Sequence, residues 1–277
     1  MRTALLLSCL IGVTALPAQD NEFGNPVRTT IEAMRANPDA YRNVKVQFTV
    51  QFASLGRISN PFFTKFTPTE YTNFYAWSDD QPIWQEKAYN DVFGMLFLSK
   101  SNPQLEQLYT LPLYSRVRCT GVVRNTFQNL PWIEVLEFGK LGPKLDTAVL
   151  THLHRGEKLM EQRLWQRAIA ELTLAAGDGV PTAAVRAAHK HLGVCLLRMG
   201  ESQAALGYLQ SAKELAANTT NGTDFEVEKL LATARTSPGE AIDRTVDTTE
   251  LSDSERPMWE AFEGGAAVPP TTRVLSR

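Results

Sequence analysis

The chain has 277 residues, with 28 Lys and Arg against 30 Asp and Glu, a formal net charge of −2. A near-neutral chain lacks the basic excess that neutralising nucleic-acid phosphates requires, so no nucleic acid is expected as a partner. After the first twenty residues no segment approaches the ~18 consecutive apolar residues of a membrane-spanning helix, so no membrane span is expected.

The chain opens with Met1 and Arg2, an apolar run from Ala4 to Val13, then Ala15, Pro17 and Ala18 before the polar Gln19 and Asp20. A cation, a short apolar core and a small residue before a polar stretch are the parts of a secretory signal. Residues 1–18 are therefore expected to be a signal peptide, cleaved after Ala18 or alternatively after Ala15. The protein is then expected to be periplasmic or secreted. Leu6-Leu7-Ser8-Cys9 has a faint likeness to a lipoprotein box, but the apolar run continues past Cys9.

Aromatic residues divide the rest of the chain, because 19 of the 25 fall between residues 41 and 140. The expected units are residues 26–141, residues 145–236 and a tail over 237–277. Pro26, Val27, Ile31 and Met34 suit a short opening helix that ends at Asn37-Pro38. Val44, Val46, Phe48, Val50 and Phe52 then alternate with polar residues, the period of a half-buried strand. Further strands are expected over 73–78, 92–98, 116–124 and 132–138, with a helix over 102–114 between the third and fourth.

Three strands, a helix and two strands form an order similar to the OB-fold, a five-stranded, partly open barrel. The lead-in from Asn37 to Val44 resembles that of small OB-like domains of bacterial envelope proteins. The segments from Tyr114 to Val123 and from Pro131 to Val135 resemble their last two strands, and Gly121 in mid-strand suits a tight bend. The resemblance implies a face that binds oligonucleotides or sugars by aromatic stacking. Phe62, Phe63, Tyr75 and Trp77 are the candidates for a glycan or small-ligand platform. Alternatively these rings fill the barrel, or Phe62 and Phe63 anchor a protein partner.

The second unit repeats with an offset of 37: Gly156 and Gly193, Leu159 and Leu196, Ala168 and Ala205, Leu172 and Leu209, Ala175 and Ala212. This pattern is similar to the tetratricopeptide repeat (TPR), in which small residues mark close helix contacts. The first copy departs from it, with Arg155 in place of Leu and Arg163 in place of the turn glycine. The resemblance implies a partner-binding concave face formed by Leu153, Glu157, Met160, Lys190, Val194, Leu197 and Arg198. Two repeats bury little core alone, so a capping helix opened by Thr223 and Glu226 is expected to close one end, and the barrel the other.

All four histidines lie in the repeat, as His152-x-His154 and His189-x-His191. Equivalent positions on stacked helices face the same way, so a histidine pair completed by Glu157 or another carboxylate is the alternative, metal-binding reading. Packing histidines are the plainer reading, and no metal or other cofactor is expected. Cys119 and Cys195 sit in apolar contexts that suit buried thiols, with a bridge between the units as the alternative. Rich in Pro, Gly, Thr and acid, residues 237–277 read as a disordered acidic tail, in which Met258, Trp259 and Phe262 are an incidental apolar cluster or, alternatively, a docking segment.

No zinc-protease, nucleophile-elbow, redox Cys-x-x-Cys or phosphate-loop motif occurs, and histidine is absent from residues 26–141. No catalytic residue is therefore assigned and no enzyme is expected. The expected fold is α+β and multidomain: an N-terminal five-stranded OB-like β-barrel, then C-terminal α-helical TPR-like hairpins. The expected function is that of an exported scaffold or protein-interaction module of the bacterial envelope that holds a protein partner through the TPR-like helices. The alternative is a glycan or small-ligand module that uses the barrel aromatics.

Overall fold

Alternation of apolar and polar residues organises the first half of the chain. In β2, Lys45–Gly56, the side chains of Val46, Phe48 and Val50 are buried in the core. The pleat sends the intervening Gln47 and Thr49 to the opposite face. The computed structural model describes residues 24–217 and 224–236, together with Gly239. Among these the fold is α+β, with six strands in one sheet and eight α-helices.

The remaining strands are β1 (Val27–Arg28), β3 (Tyr71–Ser78), β4 (Phe93–Ser99), β5 (Arg116–Asn125) and β6 (Trp132–Leu141). Their order is β1-β2-β3-β4-β6-β5, and β5 pairs back onto β2. Each of β2 to β6 therefore has neighbours on both sides, which leaves no long free edge among them. The β4–β6 pairing is parallel and the β2–β5 pairing antiparallel. Gly121 lies at a register shift between β5 and β6, where a Cβ would come within 2.6 Å of the Glu134 carbonyl oxygen.

Two sequence expectations need correction here. Pro26-Val27-Arg28 does not begin a helix: Val27 and Arg28 form β1, parallel to β2. Helix α1 is confined to Ile31–Ala36, because Thr30 accepts a bond from the Ala33 amide and so caps it. The helix expected over 102–114 is likewise only α3, Leu105–Tyr109, bounded by Pro103 and Pro112. Proline supplies no amide and disfavours helix in the residue before it. One further short helix, α2 (Glu86–Asn90), lies between β3 and β4.

Helices α4 (Thr147–Glu161), α5 (Trp165–Ala175), α6 (Thr182–Arg198), α7 (Ser202–Ala217) and α8 (Phe225–Thr236) complete the chain. Consecutive helices pack on each other throughout. The 37-residue offset has a physical counterpart at two points. A Cβ on Gly156 would meet Leu172 at 2.7 Å, and one on Gly193 would meet Leu209 at 2.5 Å. Between α4 and α5 Arg163 has φ 62°, and between α6 and α7 Gly200 has φ 84°. Matching amide bonds close both turns, Leu164 to the Leu159 carbonyl at 2.9 Å and Glu201 to the Leu196 carbonyl at 2.8 Å. The first copy keeps the left-handed turn although an arginine stands where glycine is favoured.

One apolar cluster fills the interior of the sheet, including Phe48, Phe74, Leu96 and Ile133. A second joins Tyr75, Trp77, Trp84, Tyr89 and Tyr114 to Leu145, Leu150, Leu153 and Leu192. The strand-rich and helical parts thus share a core across the connection at 142–146. Cys119 and Cys195 are both buried free thiols, not a bridge.

Candidate functional site

The loop between β2 and β3 packs against β4 and β6 through Phe66. Phe66 is buried against Phe97, with ring centroids 4.0 Å apart, and edge-on to Tyr71 at 5.0 Å. Phe97 in turn stacks on Trp132 at 5.3 Å. Beside this stack, Glu134 accepts from Lys65 Nζ at 2.5 Å, Arg124 Nε at 2.7 Å and the Tyr71 hydroxyl at 3.3 Å. Burial pushes the Glu134 carboxyl upward, but hydrogen bonds from Lys65 and Arg124, with their charges, hold it below the usual carboxylate range.

This anchoring leaves the loop tip exposed. Phe62 is 89% exposed and Phe63 65%. The Phe63 ring stacks on Phe127 at 5.0 Å, in the turn between β5 and β6, and its carbonyl accepts from the Asn125 amide at 3.0 Å. Adjacent large apolar side chains in the open form a patch, which is informative where a single exposed one is not.

The structure separates the four aromatics grouped by the sequence. Trp77 is fully buried, stacked on Tyr114 at 5.8 Å, and its indole donates to the Tyr89 carbonyl at 2.8 Å. Tyr75 is also buried, in the cluster shared with the helices. Tyr75 and Trp77 therefore fill the core and form no face with Phe62 and Phe63.

The helical face is occupied by the chain itself. Leu153 and Leu197 are buried, while Met160 and Val194 are half-buried. Glu157 accepts from the Trp84 indole at 2.8 Å and from the Gln85 amide at 3.0 Å, both on the loop after β3. It also pairs with His191 Nε2 at 3.0 Å. Burial pushes the Glu157 carboxyl up, but His191, Gln85 and Trp84 outweigh it and hold the group below its ordinary value. Lys190 reaches Glu226 on α8 at 2.8 Å, and of the seven residues only Arg198 is exposed. A cavity of about 240 Å³ remains between Trp84, Glu157, Arg186 and Lys190.

The histidines divide by position within each pair. His152 bonds Glu171 at 2.7 Å and His189 bonds Ser211 at 2.9 Å, each onto the following helix. His154 bonds the Trp84 carbonyl at 3.0 Å, while His191 takes Glu157. Among the described residues no group of three or more His, Cys, Asp or Glu is placed to hold a metal ion. No described helix is long and apolar enough to cross a membrane. The expected signal peptide and the tail beyond residue 239 lie outside the described residues.

A second surface was missed by the sequence reading. Arg28, Gln47, Thr49, Arg116 and Arg118 line a cavity of about 380 Å³ that Thr182 and Ala183 of α6 complete. Its signal was the polar half of two alternating strands.

No protein-family model matches this chain, and neither a curated protein nor a solved structure matches it.

Proposed function

We propose that the protein is an exported, non-enzymatic interaction module of the bacterial envelope, an OB-like barrel fused to TPR-like hairpins, which holds a protein partner at Phe62 and Phe63. The barrel reading is supported by the return of β5 to β2, the parallel β4–β6 pairing and α3 between β4 and β5. The TPR-like reading is supported by the matched contacts of Gly156 with Leu172 and of Gly193 with Leu209.

The observation that carries the functional reading is the exposed Phe62 and Phe63 on a loop fixed by Glu134. An aromatic pair on an anchored loop, with one ring already stacked, loses less entropy on binding and suits the centre of a protein interface. Because the chain's own loop and α8 engage Glu157 and Lys190, the partner contact moves from the helices to this tip. Export rests on the signal-like residues 1–18.

Photo-crosslinking from position 62 in native envelopes tests the reading. With the crosslinker at position 62, a single stoichiometric protein adduct is the expected result, lost on Phe63→Ala; co-purification of the same protein with the crosslinker-free chain should be lost on Phe62→Ala with Phe63→Ala. Retention on a glycan array abolished by the same pair, without a protein adduct, favours the ligand-binding alternative instead.

A further inference from the structure

The outer face of β2 and β5 carries cross-strand pairs in strict alternation: Gln47 opposite Thr120, Thr49 opposite Arg118 and Gln51 opposite Arg116. β1 extends this row, with Arg28 beside Gln47. Above the row lies the cavity of about 380 Å³, closed on one side by the start of α6. Its size falls within the range of small-molecule sites.

Its charges are unevenly satisfied. Arg116 forms a two-pronged bond to Asp79, at 2.6 and 2.7 Å. Arg118 faces Thr49 on one side and Gly139 on the other, so neither neighbour offers a carboxylate. Neither Arg28 nor Arg118 makes an ion pair among the described residues. The lining therefore holds three arginines against Asp79 and Asp80, and Asp79 is already engaged. The first turn of α6 has no side-chain cap at Pro181 and contributes Thr182 and Ala183 to the wall. A helix start favours an anion, and guanidinium groups bind carboxylate and phosphate in two-pronged fashion. Thr29, Thr30, Gln47 and Thr49 surround the arginines with hydroxyl and amide groups suited to a hydroxylated body.

The geometry points to a binding site for a small hydroxylated anion, a sugar acid or sugar phosphate, with Arg118 and Arg28 on its charged group. The site is separate from the Phe62 tip and does not depend on a protein partner there. The ligand is held and not transformed, since no nucleophile or general base is needed for the binding proposed.

Isothermal titration of the full chain with glucuronate, glucose 6-phosphate and glucose tests it. Saturable binding is expected for at least one anionic sugar, and none for glucose at the same concentrations. Arg118→Ala is expected to weaken that binding at least tenfold, and Arg28→Gln to weaken it too. Both side chains are exposed and make no ion pair among the described residues, so the unfolding temperature of each variant should match that of the parent. No saturable binding of either anionic sugar, or binding unchanged in Arg118→Ala, would overturn the proposal. Equal affinity for glucose would overturn it as well, because the charged group would then play no part.

Discussion

The indole of Trp84 donates to the carboxylate of Glu157 across 2.8 Å, from the loop after β3 to the middle of α4. The two residues are 73 apart in sequence. With Gln85 and His191 on the same carboxylate, this contact ties the strand-rich part to two helices. Glu157→Ala strands those donors in a half-buried place. Its expected cost is about 2–4 kcal/mol, read as a lower urea midpoint with an unchanged slope.

The same carboxylate, with that of Glu134, sets an acid sensitivity. Both are held below their ordinary values in the folded chain. Their stabilisation is fully present above the unfolded glutamate value of about 4.3, and is lost as pH falls through the lowered folded values. Urea unfolding followed from pH 7 downward should lose stability below that point. The loss should be smaller in Glu157→Gln with Glu134→Gln; an identical loss in that variant would rule out these two groups as its source.

The helix glycines separate close packing from helix preference. Gly156→Ala and Gly193→Ala push a methyl into Leu172 and Leu209, and overpacking of this kind costs about 1–3 kcal/mol. Nothing lies within 4 Å of a Cβ on Gly207 in α7, so Gly207→Ala should stabilise by about 0.5–1 kcal/mol. Gly200→Ala should cost about 1 kcal/mol through its φ of 84°. Thermal melts of the four variants distinguish the two effects by sign.

Glu134 is expected to govern the loop that carries Phe62. Glu134→Gln removes the charge that Lys65 and Arg124 share. Easing local opening by about 1–2 kcal/mol corresponds to a roughly 5–30-fold faster cleavage. Limited trypsinolysis should therefore cut faster after Lys65 in the variant, while cleavage after Lys140 on β6 is unaffected. Equal rates after Lys65 would show that the Phe66 and Phe63 stacks and the Asn125 bond hold the loop without the Glu134 charge.

Cys119 and Cys195 should behave as inert thiols. Burial pushes both up to about 12, so almost no thiolate exists to react at pH 8. A thiol reagent should label neither in the folded protein and both in urea. Labelling of the folded chain would mean that the core around β5 or α6 opens far more readily than its packing suggests.

Much of the strand-rich half was legible because its signal is local. Val46, Phe48 and Val50 alternate with polar residues, and that period alone identifies β2 and its buried face. The helical repeat was legible for the same reason, since Gly156 and Gly193 recur with their leucines at one offset. The cavity over β2 and β5 was half legible. Arg116, Arg118 and Thr120 alternate as plainly as Gln47, Thr49 and Gln51, but nothing local says that these two strands are neighbours. Pairing residues 47 and 120 depends on how the whole sheet closes.

The candidate grouping of Phe62, Phe63, Tyr75 and Trp77 divided on the same ground, with Tyr75 and Trp77 taking the core-filling alternative. All four are aromatic and near in sequence, yet Tyr75 and Trp77 turn toward a core that exists only once the helices dock. A strand offers two faces, and pattern alone does not say what covers the second. Glu157 and Lys190, placed on an open helical face by the repeat, are instead engaged by Trp84 and Glu226. Propensity, turn chemistry and the export-like first residues were written in the sequence by itself, because each acts over a few neighbours. Only the tertiary structure decided which aromatic residues remain exposed and which arginines make no ion pair among the described residues, because exposure and pairing belong to surfaces assembled from distant parts of the chain.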